Sequence, residues 1–185
     1  MVDEEWSLIT KLKATREGGM VQRFHPIPHH GSYSVAEHTY GVLQLILIFH
    51  PNPTLNLVRA VQNHDVAERW IGDVPTPAKW LSPALRFALK DAEDLVETAY
   101  DLKVALSDHE HRWLKAADLL ELWLWGQEQV EMGNRRAIRL VSNIAEALLN
   151  GRDEELLPPP LLRLYREYDW TVLPEELPGR ALKGY

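Results

Sequence analysis

Twice along this chain a serine stands three residues ahead of a glutamate at the head of a long run of helix-spaced apolar residues. Ser34 precedes Glu37 and then Val42, Leu43, Leu45, Ile46 and Phe49, with Pro51 as the stop. Ser107 precedes Glu110 and then Leu114, Asp118 and Leu122, with Gly133 as the end. In this arrangement the serine hydroxyl accepts one N–H that a helix start leaves open, and the glutamate reaches back to a second. Two long helices follow from these signatures. Between and around them the spacing predicts others. Glu4 to Thr15 reads as a short amphipathic helix through Trp6, Leu8, Ile9 and Leu12, ended by Gly18-Gly19. Pro53-Thr54 opens a helix through Leu55, Leu57, Val58 and Val61, with His64-Asp65 near its end and Gly72, Pro75 and Pro77 breaking it. Ser82-Pro83 starts another, with proline at the first helical position, carrying Leu85, Phe87, Leu95 and Val96. Arg135 to Leu149 is helical, closed by Asn150-Gly151, and Leu161 to Tyr168 follows three prolines. No stretch alternates apolar and polar long enough for a sheet. The expectation is an all-α bundle of about five to seven helices over 1–150, with an accessory C-terminal helix and irregular tail (Pro174, Pro178, Gly179) over 151–185.

With 185 residues, the chain is long enough to close one core. It has no cysteine, so a metal would have to be held by His, Asp and Glu. The formal charge of −7 argues against a surface that tracks a nucleic acid polymer. The densest apolar run, Val42 to Phe49, is too short for a bilayer, and the acidic N-terminus is unlike a signal peptide. A cytoplasmic home is expected, with no membrane and no nucleic acid polymer as partner.

The stretch from Asn63 to Lys79 places His64, Asp65, Glu68, Asp73 and Lys79 close together. Adjacent helical residues point about 100° apart, so His64 and Asp65 converge only on an atom lying between them, as a metal beside the helix would. Glu68 shares a face with Asp65 and sits beside such a metal without ligating it. Two ligands hold a divalent ion weakly, and His38 and Asp118 are the candidates to complete the set. Asp118 lies in a mostly apolar run, where an ionised carboxylate is costly unless paired or metal-bound. Taken singly, His38 reads as a satisfied, partly buried histidine, and Asp118 as a partner of Lys115 or of a neighbouring arginine. Together the four make a mixed imidazole–carboxylate shell suited to Mn, Fe, Co or Zn.

The ordered set of an isolated His, a His-Asp pair and a distant Asp on successive helices resembles the HD-domain metal-dependent phosphohydrolases. The segments Val35-Ala36-Glu37-His38-Thr39, His64-Asp65-Val66-Ala67-Glu68, Gly72-Asp73-Val74-Pro75-Thr76-Pro77-Ala78-Lys79 and Leu114-Lys115-Ala116-Ala117-Asp118 resemble bacterial 5′-deoxynucleotidases and small phage dATP triphosphohydrolases. The resemblance covers about Met20 to Gly133. It implies a single HD-domain bundle with His38, His64, Asp65 and Asp118 as metal ligands. It implies Glu68 and Asp73 as the acids handling the attacking water and the leaving oxygen, in an order left open. Lys79 matches a phosphate-contacting lysine. Arg23-Phe24 stands where the bacterial enzymes carry Arg-Trp, so stacking survives but the indole N–H does not.

The activity implied is divalent-metal-dependent hydrolysis of 2′-deoxynucleotides of dATP or dAMP type, releasing triphosphate or phosphate from the 5′ position. The cofactor implied is one transition ion (Co, Mn or Zn), with an extra Mg or Mn if the substrate is a triphosphate. His25 to His30 are expected along the base and sugar, with Phe24 or Ile27 as the wall that rejects a 2′-hydroxyl. His29, His30, Arg69 and Lys79 are candidates for the further phosphates. His109 and His111 precede Asp118 by too much helix to join its metal. The alternatives are an HD phosphodiesterase acting on another nucleotide and a non-enzymatic, degenerate HD module. Trp113, Trp123 and Trp125 have spacings that do not suit one core-facing side, which points to a surface shared with another subunit. The family resemblance also favours a homo-oligomer, a dimer or larger, and, for a phage-encoded form, the host cytoplasm.

Overall fold

The computed structural model describes residues 7–150 and 157–168. Trp6, Gly151, Pro174, Pro178 and Gly179, on which parts of the sequence reading rest, lie outside the described residues. The helices are α1 (Leu8–Gly18), α2 (Val35–Phe49), α3 (Leu55–Asn63), α4 (Glu68–Ile71), α5 (Thr76–Leu81), α6 (Pro83–Ala99), α7 (Asp108–Glu131), α8 (Ala137–Asn150) and α9 (Pro159–Glu167). Among the described residues there is no strand, only an isolated bridge between Gln22 and Ser34. The all-α reading holds: α4 and α5 are single short turns, and the remaining helices are the long elements of the bundle.

Both capping boxes form, at Ser34/Glu37 and at Ser107/Glu110. Thr54 and Ser82 cap α3 and α6 through their hydroxyls. Each such cap contributes about 1 kcal/mol and fixes where its helix begins. The short helix α5 was hidden by Pro75 and Pro77. They read as breakers, but a proline in a first turn loses no hydrogen bond, and α5 carries Pro77 there.

The long helix α7 is the axis, packed by α2, α3, α8 and α9. Val42, Ile46, Leu57, Val61, Leu120, Trp123 and Leu161 are fully buried in the core so formed. Burying each such side chain contributes about 1.5–3 kcal/mol. Neighbours on so many sides account for the tryptophans. Trp113, Trp123 and Trp125 are all buried within the one chain, so their spacing requires no second subunit. Leu161 and Tyr165 place α9 in this same core.

A smaller cluster of Ala14, Val66, Tyr100 and Leu102 holds α1 against the segment that follows α3. Here the sequence reading of α1 is corrected. Leu8, Ile9 and Leu12 are exposed, and α1 buries Ala14 and Gly18 instead. Small residues win because α1 lies close to the Val66 backbone. A Cβ on Gly18 would be 3.1 Å from the Val66 carbonyl oxygen.

The Met20–Tyr33 loop closes on itself. Arg23 N–H donates to the Tyr33 carbonyl (2.8 Å), and Val35 N–H donates to the Val21 carbonyl (2.9 Å). These bonds fold Arg23 and Phe24 back towards the start of α2, where His38 lies.

Candidate metal centre

His38, one turn into the capped helix α2, is completely buried. His64 is the C-cap of α3, and its Nδ1 donates to the Val61 carbonyl at 2.7 Å. That bond leaves the His64 Nε2 facing the His38 Nε2 at 3.3 Å. Asp65 Oδ2 lies 3.4 Å from His64 Nε2 and 3.7 Å from His38 Nε2. Ligand atoms of His38, His64 and Asp65 thus all lie within 4.8 Å of one another. Asp118 comes from α7 and puts Oδ1 3.0 Å from His38 Nε2. The structure therefore brings His38, His64 and Asp65 together from α2 and the end of α3, and Asp118 of α7 meets that cluster at His38.

The electrostatics of that point ask for a cation. His38 Nδ1 is bonded to the Glu121 carboxylate, so Glu121, Asp65 and Asp118 surround one imidazole. Burial would pull the His38 pKa down, but hydrogen bonds to Asp118 and Glu121 push it up to about 9. Burial pushes Asp118 up, and the hydrogen bond from His38 with the nearby positive charges outweighs it, leaving Asp118 below the ordinary carboxylate range. Two facing Nε2 atoms and two carboxylates form a donor set that a divalent transition ion satisfies.

Beside this point the Arg23 guanidinium bonds Asp65, and its Nη1 lies 3.7 Å from Glu68 Oε1. The Arg23 Nε is buried without a hydrogen-bond partner, and so is Glu68 Oε2. Burial, with the charge of Asp65, pushes the Glu68 carboxyl well above its usual range, and Arg23 opposes the shift. A buried donor and a buried acceptor left unpaired are costly in a folded protein.

Asp73 Oδ2 accepts the backbone N–H of Phe24 at 2.9 Å. Phe24 sits in the left-handed region, φ 56°, which a bulky residue adopts only when its surroundings impose it. Its ring stacks on Trp125, with centroids 5.2 Å apart, and Trp125 stacks on Tyr33 at 4.3 Å. Ile27 is half-buried in the next turn, its N–H donating to the Phe24 carbonyl. Lys79, on α5, lies at the rim with Nζ 4.0 Å from Glu93. Arg69 is paired with α1, its Nε donating to Glu17 at 2.6 Å. His29 packs edge-on against Trp125, and the His30 N–H donates to the Gln129 side chain. His109 packs edge-on against His50.

Residues 16–156 match the family described as 5′-deoxynucleotidase YfbR-like. The chain belongs to that family. No curated protein sequence matches it. Among solved structures, an HD-domain phosphohydrolase from Listeria innocua is similar, with a TM-score of 0.69 at 20% identity over 87% of each chain. So is the cyanophage S-2L HD phosphohydrolase DatZ, bound to dA and one catalytic Zn2+ ion, with a TM-score of 0.66 at 18% identity over 91% of this chain and 98% of that one. The PH0347 protein from Pyrococcus horikoshii OT3 gives 0.57 at 20% identity over 78% and 97%. The YfbR-like chain therefore has the HD-domain fold. Among its described residues, no helix is long and apolar enough to cross a membrane.

The sequence reading missed Glu121, Tyr33 and Trp125. For Glu121 a signal existed: it lies three residues beyond Asp118, on the same face of α7, as an acid in an apolar run. Tyr33 and Trp125 carry no local signal, because their partners are distant in sequence.

Proposed function

We propose that this YfbR-like chain hydrolyses 2′-deoxynucleotides at the bond between the α-phosphorus and O5′, with dAMP and dATP as the leading substrates. The observation that carries this reading is the pairing of the His38–His64–Asp65 cluster with an unpartnered Glu68 Oε2 and a buried arginine. The family match supports a nucleotide substrate, and a fold neighbour that holds dA and Zn2+ supports adenine and a transition ion. His38, His64 and Asp65, with Asp118, would hold a Co, Mn or Zn ion. Bound there, the ion would act as a Lewis acid towards a phosphoryl oxygen and acidify a water.

The protein's own groups do the rest. Arg23, bonded to Asp65 and with an unpaired, buried Nε–H, is the cation that would offset the charge of the substrate phosphate. Lys79 approaches from the rim and offsets the charge of further phosphates. Phe24, locked by Asp73 and Trp125, supplies the apolar face for sugar or base, and Ile27 adjoins it. Water attacks phosphorus, its proton passes to a carboxylate, and the P–O5′ bond breaks. O5′ takes up a proton and leaves with the deoxynucleoside. Glu68, with Oε2 uncommitted, and Asp73, which accepts from Phe24, divide the two proton transfers between them, one accepting from the water and the other donating to O5′. The same bond breaks in a monophosphate and a triphosphate, so one site serves either.

The test is a panel of dNMPs, dNTPs and their ribonucleotide counterparts, incubated with protein loaded with Mn, Co or Zn, and assayed separately for phosphate and triphosphate. The expected result is metal-dependent release of deoxyadenosine, with the ribonucleotides turned over more slowly. Absence of release from every nucleotide would contradict the reading, and equal rates on AMP and dAMP would remove the 2′-hydroxyl wall.

A further inference from the structure

Glu121 stands in the wall of an open cavity of about 610 Å³, where its carboxylate has a route to water. It is turned inward instead. Its Oε2 accepts the Tyr33 hydroxyl at 2.6 Å and bonds His38 Nδ1, and it is nine-tenths buried. Such burial is unfavourable for a carboxylate unless its acceptor sites are filled, and here one oxygen takes both donors. The backbone makes room for it. Gly41 follows His38 by less than one turn on α2, and a Cβ there would fall 2.6 Å from Glu121 Cγ and 2.8 Å from Oε1.

The two histidines of the cluster are thus held in the same way from opposite sides. The Val61 carbonyl holds His64 by Nδ1, and Glu121 holds His38 by Nδ1. Each contact fixes the proton on Nδ1 and leaves Nε2 as the ligand atom. A carboxylate behind an imidazole also raises the basicity of its far nitrogen, which a carbonyl does less.

We infer that Glu121, seated by Gly41 and Tyr33, is a positioning residue that holds His38 in its ligand orientation and strengthens this site's grip on a divalent ion. The inference rests on the proposed metal site, and its test is kept independent of turnover. Co2+ affinity is measured by competition with a chromophoric chelator, and the Co2+ visible absorption is recorded, for wild type, Glu121→Gln, Glu121→Ala and Gly41→Ala. Glu121→Gln keeps an acceptor for Nδ1–H but loses the charge, so its affinity should fall between those of wild type and Glu121→Ala. Glu121→Ala should bind Co2+ roughly 10- to 100-fold more weakly, with an altered spectrum. Gly41→Ala should move in the same direction by displacing a carboxylate it leaves chemically intact.

A purely structural Glu121 would lower the melting temperature of the variants and leave affinity and spectrum at wild-type values. That result overturns the inference alone, since the wild type would still bind and act. A wild-type chain that takes up no Co2+ would overturn both the inference and the proposed function.

Discussion

The carboxylate of Asp73 holds the backbone N–H of Phe24 at 2.9 Å, and Phe24 occupies a left-handed conformation, φ 56°. A residue proposed for chemistry is therefore also the clamp on a residue proposed for substrate contact. The two roles separate by substitution. Asp73→Asn retains an oxygen that can accept from Phe24, so kcat should fall while KM holds. Asp73→Ala releases Phe24 as well, so KM should rise too. A positioned acid or base contributes about 10²–10⁴-fold, which sets the scale of the kcat loss. Steady-state kinetics of both variants on the best nucleotide of the panel decide the matter.

Trp125 lies between Phe24 and Tyr33 in a continuous stack, so it joins the loop to α7. Trp125→Ala should destabilise the protein by about 3–5 kcal/mol in urea denaturation, as truncation of a buried aromatic does, and should raise KM. Trp125→Phe keeps a ring in the stack and should retain most of both.

At Gly126, α7 and α8 approach closely. A Cβ there would meet Val141 Cγ2 at 2.8 Å, and Val141 is fully buried on a stiff, branched side chain. Helix propensity alone favours Gly126→Ala by about 1 kcal/mol, but overpacking costs about 1–3 kcal/mol. The clash should win, and chemical denaturation should find the variant less stable than wild type.

Glu110 ties the start of α3 to the start of α7. It accepts from the Thr54 hydroxyl at 2.5 Å, and from the Ser107 N–H and hydroxyl at 2.8 and 2.7 Å. The Thr54 bond first, and then the Ser107 bonds, lower its pKa from 4.5 to about 2. Because the folded value is depressed, the unfolded chain takes up this proton first as pH falls. The stabilisation is present in full above the ordinary value and disappears between there and about 2. Glu110→Gln should lower the melting temperature near neutral pH, and the gap to wild type should close as the pH is lowered through that window.

Features written in local chemistry were legible in the sequence. Ser34/Glu37 and Ser107/Glu110 announced the two helices that carry His38 and Asp118, and the Asn63–Lys79 motif pointed to the cluster. What depended on contacts distant in sequence was not. The exposure of Leu8, Ile9 and Leu12 follows from how closely Gly18 meets Val66, and no property of α1 alone reveals it. The burial of all three tryptophans follows from α7 being wrapped by four other helices. Glu121 and Tyr33 meet across 88 residues of sequence, and Phe24 owes its conformation to an aspartate 49 residues away.

The most direct measurement is metal content per chain, by plasma mass spectrometry, alongside turnover for Asp118→Ala and Glu68→Ala. The account predicts that Asp118→Ala loses metal and activity together, because Asp118 meets the cluster at His38 Nε2. Glu68→Ala should keep its metal and lose turnover, because Glu68 stands beside the cluster with Oε2 uncommitted. Full metal retained in Asp118→Ala, or wild-type turnover in Glu68→Ala, would contradict it.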